Sequence, residues 1–479
     1  MSRVQSGDKL YEVLFNYIDV HENPSDQEIE SLIKTYGSTN NLSIHKNYLA
    51  NILLECMVNY SHGKTIENQL THNLRELEYL FTKKHTEIAE KKLNVAKQKA
   101  LMYEEFLIYL QLMMWEKRFF SNTWNSSQYN LWYRERISIH NKLNSIDKVM
   151  FFNDMLFNLA VERSEVQKHT LNNIFRNLKK LQETSDQTFQ LKKHYLSALN
   201  FYFILINNTP KALVVSARLI LLFDEHPHFI DHEPVYYINR INNHLVNCLL
   251  TFDIEEFDKN IGRLKKIVTS KKVSPQIRNN AAENYRNHFV YRYVLMGEFK
   301  KCETQLSGLL KESRIATEGG SFKQKAQFQA YIIIIQYAVG NYKKALRILQ
   351  DLFLEIPMQS IPEDIVTVLK VLRLIIYYES KRYSQLNLLL KQTNYEKDNP
   401  TLNPFELLIV NHFRLLNESQ DSSSILKSFQ KRLKPIYRDS QKKKYFAIFD
   451  VMLWVTGQLE NKSYEQKVKE VFVSKAKRK

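Results

Sequence analysis

From Glu255 onward one local pattern returns four times: a small or polar turn, an apolar or aromatic side chain two positions on, then apolar residues at helical spacing. It reads Glu255-Glu256-Phe257 with Leu264 and Ile267, then Gly297-Glu298-Phe299 with Cys302, Leu306 and Leu309. It continues as Gly340-Asn341-Tyr342 with Ala345, Leu349 and Leu352, and as Lys381-Arg382-Tyr383 with Leu386 and Leu390. From 255 to 297, 340 and 381 the turns step by 42, 43 and 41 residues. A period of that length means stacked helix pairs, because one pair cannot bury its apolar face alone and each needs its neighbours. Only 10 Gly and 10 Pro occur in 479 residues, about half the usual share. Few positions are therefore left for the tight turns that strand-rich folds require.

The same periodicity runs upstream. Leu10, Val13, Leu14, Tyr17 and Ile18 make one helical stripe; Tyr48, Ile52, Leu53, Cys56, Met57 and Tyr60 make another. Between them Ser25 precedes Glu28 by three residues, a capping box that starts a helix near Asp26. Leu80-Phe81 followed by Ala89, Leu93 and Ala96 fits the same spacing. These readings predict an all-α chain with a helical cap over 1–62, degenerate repeats over 63–240, regular repeats over 241–460 and a basic tail over 461–479.

Gly340-Asn341-Tyr342-Lys343-Lys344-Ala345, followed by Leu349, Leu352 and Pro357, resembles the second half of a tetratricopeptide repeat. In that motif a Gly turn, an aromatic, a small residue at the helix contact and a closing Pro follow in order. The overall layout resembles a Bacteroidetes-type group of tetratricopeptide-like bacterial proteins, from which no activity carries over. The resemblance implies an α-α superhelix, a right-handed solenoid of stacked antiparallel helix pairs, here with repeats longer than the family's usual 34 residues. It also implies that the first helix of each pair lines a concave face. The side chains landing on that row are Leu245, Leu249 and Phe252; Asn287, Tyr291 and Val294; Ala330, Ile334 and Tyr337; and Val371, Ile375 and Tyr378. Family members that clamp a terminal carboxylate carry Lys and Asn on this row, and its residues here do not match. Such an apolar row is either an open groove for an amphipathic helix, or a surface filled by the chain itself or by a second copy, since large apolar patches are uncommon on monomers.

The formal net charge is +17, an excess that attracts nucleic acid, anionic lipid or acidic protein without choosing among them. Its densest stretch holds Lys431, Arg432, Lys434, Arg438, Lys442, Lys443 and Lys444. This is either a polyanion-binding surface or the solvated face of a helix over an apolar underside. Three widely spaced cysteines imply neither a disulfide framework nor a CxxC metal site. The polar start lacks a secretory h-region and no apolar run reaches bilayer length, so a cytoplasmic protein without membrane association is expected.

Motifs that carry chemistry are sparse. Gly63-Lys64-Thr65 mimics the end of a phosphate-binding loop, but Val58 stands where its first Gly belongs and a helix precedes it. Asp224, Glu225, His226, His228, Asp231, His232 and Glu233 crowd ten residues. His226, His228 and His232 could ligate a transition metal, although polar loops rich in such residues are commonplace. Trp115, Arg118, Phe119, Phe120, Trp124, Trp132, Tyr133, Arg134 and Arg136 mix rings and cations that could stack on bases, or simply pack in a core. No cofactor is expected. The expectation is a non-catalytic scaffold or regulatory adaptor for a protein or peptide. Polyanion binding is the alternative, and a homo-oligomer with a self-filled groove the second.

Overall fold

A computed structural model describes residues 10–21, 24–36, 41–61, 65–162, 168–182, 187–271, 273–313, 322–395, 403–419, 421–439 and 442–477. Among them every regular element is helical: twenty-three α-helices, with short 3-10 turns at Ser121–Thr123, Met358–Ser360 and Lys442–Phe446. The chain forms two compact units, one of residues 1–148 and 185–191, the other of 149–184 and 192–479.

The first unit opens with α1 (Leu10–Val20), α2 (Asp26–Thr35) and α3 (Leu42–Ser61) around Leu14, Ile29, Ile33, Leu42 and Leu49. The capping box forms as the sequence predicts. Ser25 Oγ accepts from the Glu28 amide at 3.3 Å, and the Glu28 carboxylate accepts from the Ser25 amide at 2.7 Å. Three antiparallel helices follow, α4 (Ile66–Thr82), α5 (Thr86–Met102) and α6 (Phe106–Phe120), and then the long α7 (Ser126–Glu162), whose last residues belong to the second unit.

In the second unit α8 (Lys168–Gln182), α9 (Phe189–Leu205, its first three residues belonging to the first unit), α10 (Thr209–Glu225) and the single turn α11 (His228–His232) lead into the regular pairs. These are α12 (Pro234–Leu250) with α13 (Ile254–Thr269), α14 (Pro275–Met296) with α15 (Phe299–Ser313), and α16 (Phe322–Ala338) with α17 (Tyr342–Glu355). Next come α18 (Glu363–Glu379) with α19 (Tyr383–Tyr395) and α20 (Pro404–Glu418) with α21 (Ser422–Arg438). The first helices α12, α14, α16, α18 and α20 each pack on the next. The stretch after α21 ends in α22 (Val451–Glu460) and α23 (Tyr464–Ala476), so much of the segment read as a basic tail is helix.

One device closes the turns inside the first four of the regular pairs. The residue after the first helix takes a left-handed conformation, and two backbone hydrogen bonds reach back into that helix. In α16–α17, Gly340 has φ +84°; its N–H donates to Tyr337 O at 2.9 Å, and the Asn341 N–H donates to Gln336 O at 2.8 Å. The same pair of bonds recurs with Asn207, Phe252, Gly297 and Lys381 at the turn, and again with Asn461 between α22 and α23. Pairs lacking Gly therefore use the same geometry and bear its steric penalty, about 1 kcal/mol per left-handed non-Gly residue.

This geometry corrects the register of the first regular repeat. Its turn lies at Phe252 (φ +58°), three residues before Glu255. Glu255 and Glu256 occupy the first turn of α13, where carboxylates oppose the positive end of the helix dipole. Phe257 thus corresponds to Ala345, not to Tyr342. Five residues beyond Asn207, Phe252, Gly297, Gly340 and Lys381 stand Ala212, Phe257, Cys302, Ala345 and Leu386, all with no exposed surface, where the two helices of a pair touch.

Candidate functional site

The row inferred for the concave face is mostly interior. Leu245, Leu249, Val294, Ala330, Ile334, Tyr337, Val371 and Ile375 are buried, and Phe252, Asn287, Tyr291 and Tyr378 are half-buried. With the corrected turn, the α12 equivalents of Asn287, Tyr291 and Val294 are Asn242, Val246 and Leu249. Tyr331 to Tyr337 on α16 has no exposed side, so that stretch of the helix is covered all round.

Part of the cover comes from the chain's own C-terminal segment, which retraces the stack from α20 back to α12. The Tyr445 ring stacks on Phe405 at 5.0 Å and 5°, and its hydroxyl donates to Glu363 at 3.1 Å. Trp454 lies 5.5 Å from Phe413 and 6.2 Å from Tyr378. Phe449 and Tyr464 both pack against Tyr337, and Tyr464 also stacks on Phe299 at 6.0 Å. Phe472 meets Phe252 edge-on at 5.5 Å, with the Lys475 ammonium 5.8 Å over the Phe252 ring. From Trp454 to Phe472 the rings lie in a lane along the turn end of the first helices, whereas Tyr445 lies against the first turns of α18 and α20.

Two carboxylates fix this segment. Glu379, the last residue of α18, accepts at Oε1 from the Trp454 indole N–H at 2.7 Å, Tyr337 hydroxyl at 2.9 Å and Gln458 amide at 3.0 Å. Its Oε2 accepts from the Tyr342 hydroxyl at 3.1 Å. Burial, then the Glu379 charge, pushes the Tyr337 phenol well above its usual range and the Tyr342 phenol to about 12. Asp450 caps α22 by accepting from the Met452 and Leu453 amides at 2.9 and 3.3 Å, and it takes the Tyr437 hydroxyl at 3.2 Å. The Asp450 amide donates to the Tyr464 hydroxyl at 3.2 Å. Burial raises the Asp450 carboxyl to about 6, against the lowering effect of these donors and of Lys475.

A second polar cluster lies buried among α10, α12 and α13. Ser216 Oγ is 2.8 Å from His244 Nδ1, and His244 Nε2 is 3.4 Å from a Glu256 oxygen. The spacing resembles a nucleophile, base and acid, but Ser216 and His244 are both buried inside the stack. Ser216 Oγ also lies within donating distance of Leu213 O, at 2.9 Å. Asn260 donates to His244 Nε2 at 3.3 Å, and burial keeps the ring neutral by lowering its pKa. Asn247 joins Ser216 to Asn200, at 3.1 and 3.0 Å. These bonds satisfy polar groups inside the stack.

The remaining sequence candidates separate. His226, His228 and His232 lie around the short α11, with the His226 and His228 rings 6.1 Å apart. Among the described residues no three His, Cys, Asp or Glu side chains converge to hold a metal ion. Lys431, Arg432, Lys434 and Arg438 are exposed on α21, opposite buried Leu426, Phe429 and Leu433. Lys444 is drawn to Glu363 at 3.4 Å, and the side chains of Lys442 and Lys443 lie outside the described residues. Gly63 and Lys64 lie outside them too, whereas Thr65 caps α4 by accepting from the Asn68 amide at 3.1 Å. In the first unit Trp132 is buried and donates to Met113 O at 3.1 Å, while Trp115 and Trp124 are half-buried.

Comparison with protein-family models, with curated proteins and with solved structures returns no match to this chain.

Proposed function

We propose that this chain is a non-catalytic scaffold or adaptor whose tetratricopeptide-like stack binds a protein partner along the aromatic lane. The observation that carries the reading is the lane's present occupant. Residues 444–475 lie on the first helices through rings and through hydrogen bonds to Glu379, the contacts by which a groove accepts an amphipathic helix. The partner segment is accordingly a helix carrying Trp or Tyr at its apolar positions, which competes with the chain's own C-terminus. A second copy's C-terminal segment offers the same chemistry, so the self-filled homo-oligomer is the reading's nearest rival.

The test compares the intact chain with a Trp454→Ala, Tyr464→Ala double variant, after circular dichroism shows that both retain helix. Each is used to capture partners from lysate with and without nuclease treatment, and each is sized by light scattering. Stronger capture of a discrete protein by the variant supports the adaptor. A concentration-dependent dimer of the intact chain that the variant loses supports the rival. Captured material that is sensitive to nuclease and salt, and indifferent to the substitutions, transfers the function to the exposed cations of α21.

A further inference from the structure

A recess of about 410 Å³ lies where α17, α18, α19 and α20 meet. Its walls are apolar: Phe353 of α17, Leu374 of α18, Leu389 of α19 and Ile409 of α20. Protein interiors leave few voids larger than a water molecule, and this volume falls in the range of small-ligand sites. A single inter-helix space of this size with such walls suits a hydrocarbon chain or an aryl group.

Three charged residues border it, and they are not equivalent. Glu406 is buried and already committed, accepting from the Thr367 hydroxyl at 2.7 Å and from Lys370 Nζ at 3.4 Å. Arg373 is half-buried, and among the described residues its guanidinium has an aromatic neighbour, the Tyr377 ring at 5.8 Å, and no carboxylate. A guanidinium at the edge of an apolar recess has its donors available for a planar anion, which it grips through two parallel N–H bonds. Lys370 is paired with Glu406, which leaves Arg373 as the charge on the recess without a carboxylate among the described residues.

We propose that this recess binds an amphipathic carboxylate, an alkyl or aryl-alkyl acid whose apolar part enters between the helices while its carboxylate pairs with Arg373. None of the residues lining the recess is one of the rings of the partner lane. Decanoate, kept below its micellar concentration, is the probe, titrated calorimetrically into the full chain beside decanol as the uncharged control. Decanoate is expected to bind one per chain and more tightly than decanol. Arg373→Gln is expected to weaken decanoate about tenfold, or about 1.4 kcal/mol, and to leave decanol unchanged. Leu389→Trp, placed on the half-buried wall, is expected to exclude both. Equal affinity for decanoate and decanol, no binding of either, or indifference to Arg373→Gln overturns the proposal. If Leu389→Trp loses helix, the Arg373→Gln comparison alone decides.

Discussion

The Trp454 indole donates to the Glu379 carboxylate at 2.7 Å across 75 residues of chain, tying the C-terminal segment to the end of α18. The same carboxylate holds Tyr337, Tyr342 and Gln458, so one acid serves two first helices, a second helix and the returning segment. Removing it leaves several partly buried donors unpaired, and the loss of even one such partner costs about 1–3 kcal/mol. Glu379→Ala is expected to destabilise the chain by about 3 kcal/mol in urea titration. Trp454→Phe, which keeps a ring and loses only the N–H, is expected to cost about 1 kcal/mol. Equal costs would mean that ring packing, and not the carboxylate, fixes the segment.

Ile334 and Ile375 have no exposed surface, and a carboxylate placed at either must be desolvated without a partner. Ile334→Glu and Ile375→Glu are expected to abolish cooperative thermal unfolding. Val246→Glu, at an exposed site on α12, is expected to shift Tm by no more than a degree or two, within the usual range for surface changes of about 0.5 kcal/mol. Retained folding of the two isoleucine variants would reopen the row as an accessible groove.

The repeats were legible because their spacing is set by buried contacts: Cys302, Ala345 and Leu386 stand five residues past a left-handed turn, and the sequence displays that interval. The slip at Glu255 arose because Phe257 looks like Phe299 in sequence while occupying the helix-contact position of Cys302. Nothing in the sequence required a Gly at Phe252, since a Phe can adopt φ +58° at modest cost. The site was less legible. Counting positions along one repeat places Tyr337 and Tyr378 on a row but cannot reveal that Trp454 and Tyr464 return to cover it. One local signal did mark the returning helix. Ser463 and Gln466 form a capping box at the start of α23, the pattern that located α2 from Ser25 and Glu28.

Acid is expected to act in opposite directions on the stack and on its C-terminal segment. Burial lowers His194 to about 3 and His288 to about 4, and it also lowers His244. A depressed histidine stabilises above its unfolded value of about 6.5 and loses that contribution as pH falls toward the folded value. Global stability should therefore fall between pH 6.5 and 4. Asp450 is raised to about 6, so its contribution is full below its unfolded value near 3.9 and lost as pH rises through 6. Tyr437, Tyr464 and Lys475 are the groups that face it. Between pH 7.5 and 5.5 amide exchange in α22 and α23, corrected for intrinsic rates, should slow, and Asp450→Asn should remove that dependence. Faster exchange at pH 5.5 would contradict the assignment.

Gly297 and Gly340 occupy the same left-handed position in consecutive repeats, with φ +70° and +84°, yet their surroundings differ. A Cβ on Gly340 meets nothing within 4 Å, so Gly340→Ala bears only the backbone penalty, about 1 kcal/mol. A Cβ on Gly297 would stand 2.9 Å from Lys469 Cγ, 3.1 Å from the Lys469 backbone nitrogen and 3.2 Å from Glu465 O. Two of those atoms are α23 backbone, which cannot rotate aside as a side-chain tip can. Gly297→Ala must therefore strain the turn and also push α23 away from it, and it should be destabilising by at least about 1 kcal/mol more than Gly340→Ala. The excess should appear as faster amide exchange in α23, while exchange in α16 and α17 stays unchanged. Equal penalties at the two glycines would mean that α23 does not rest on the α14–α15 turn in solution.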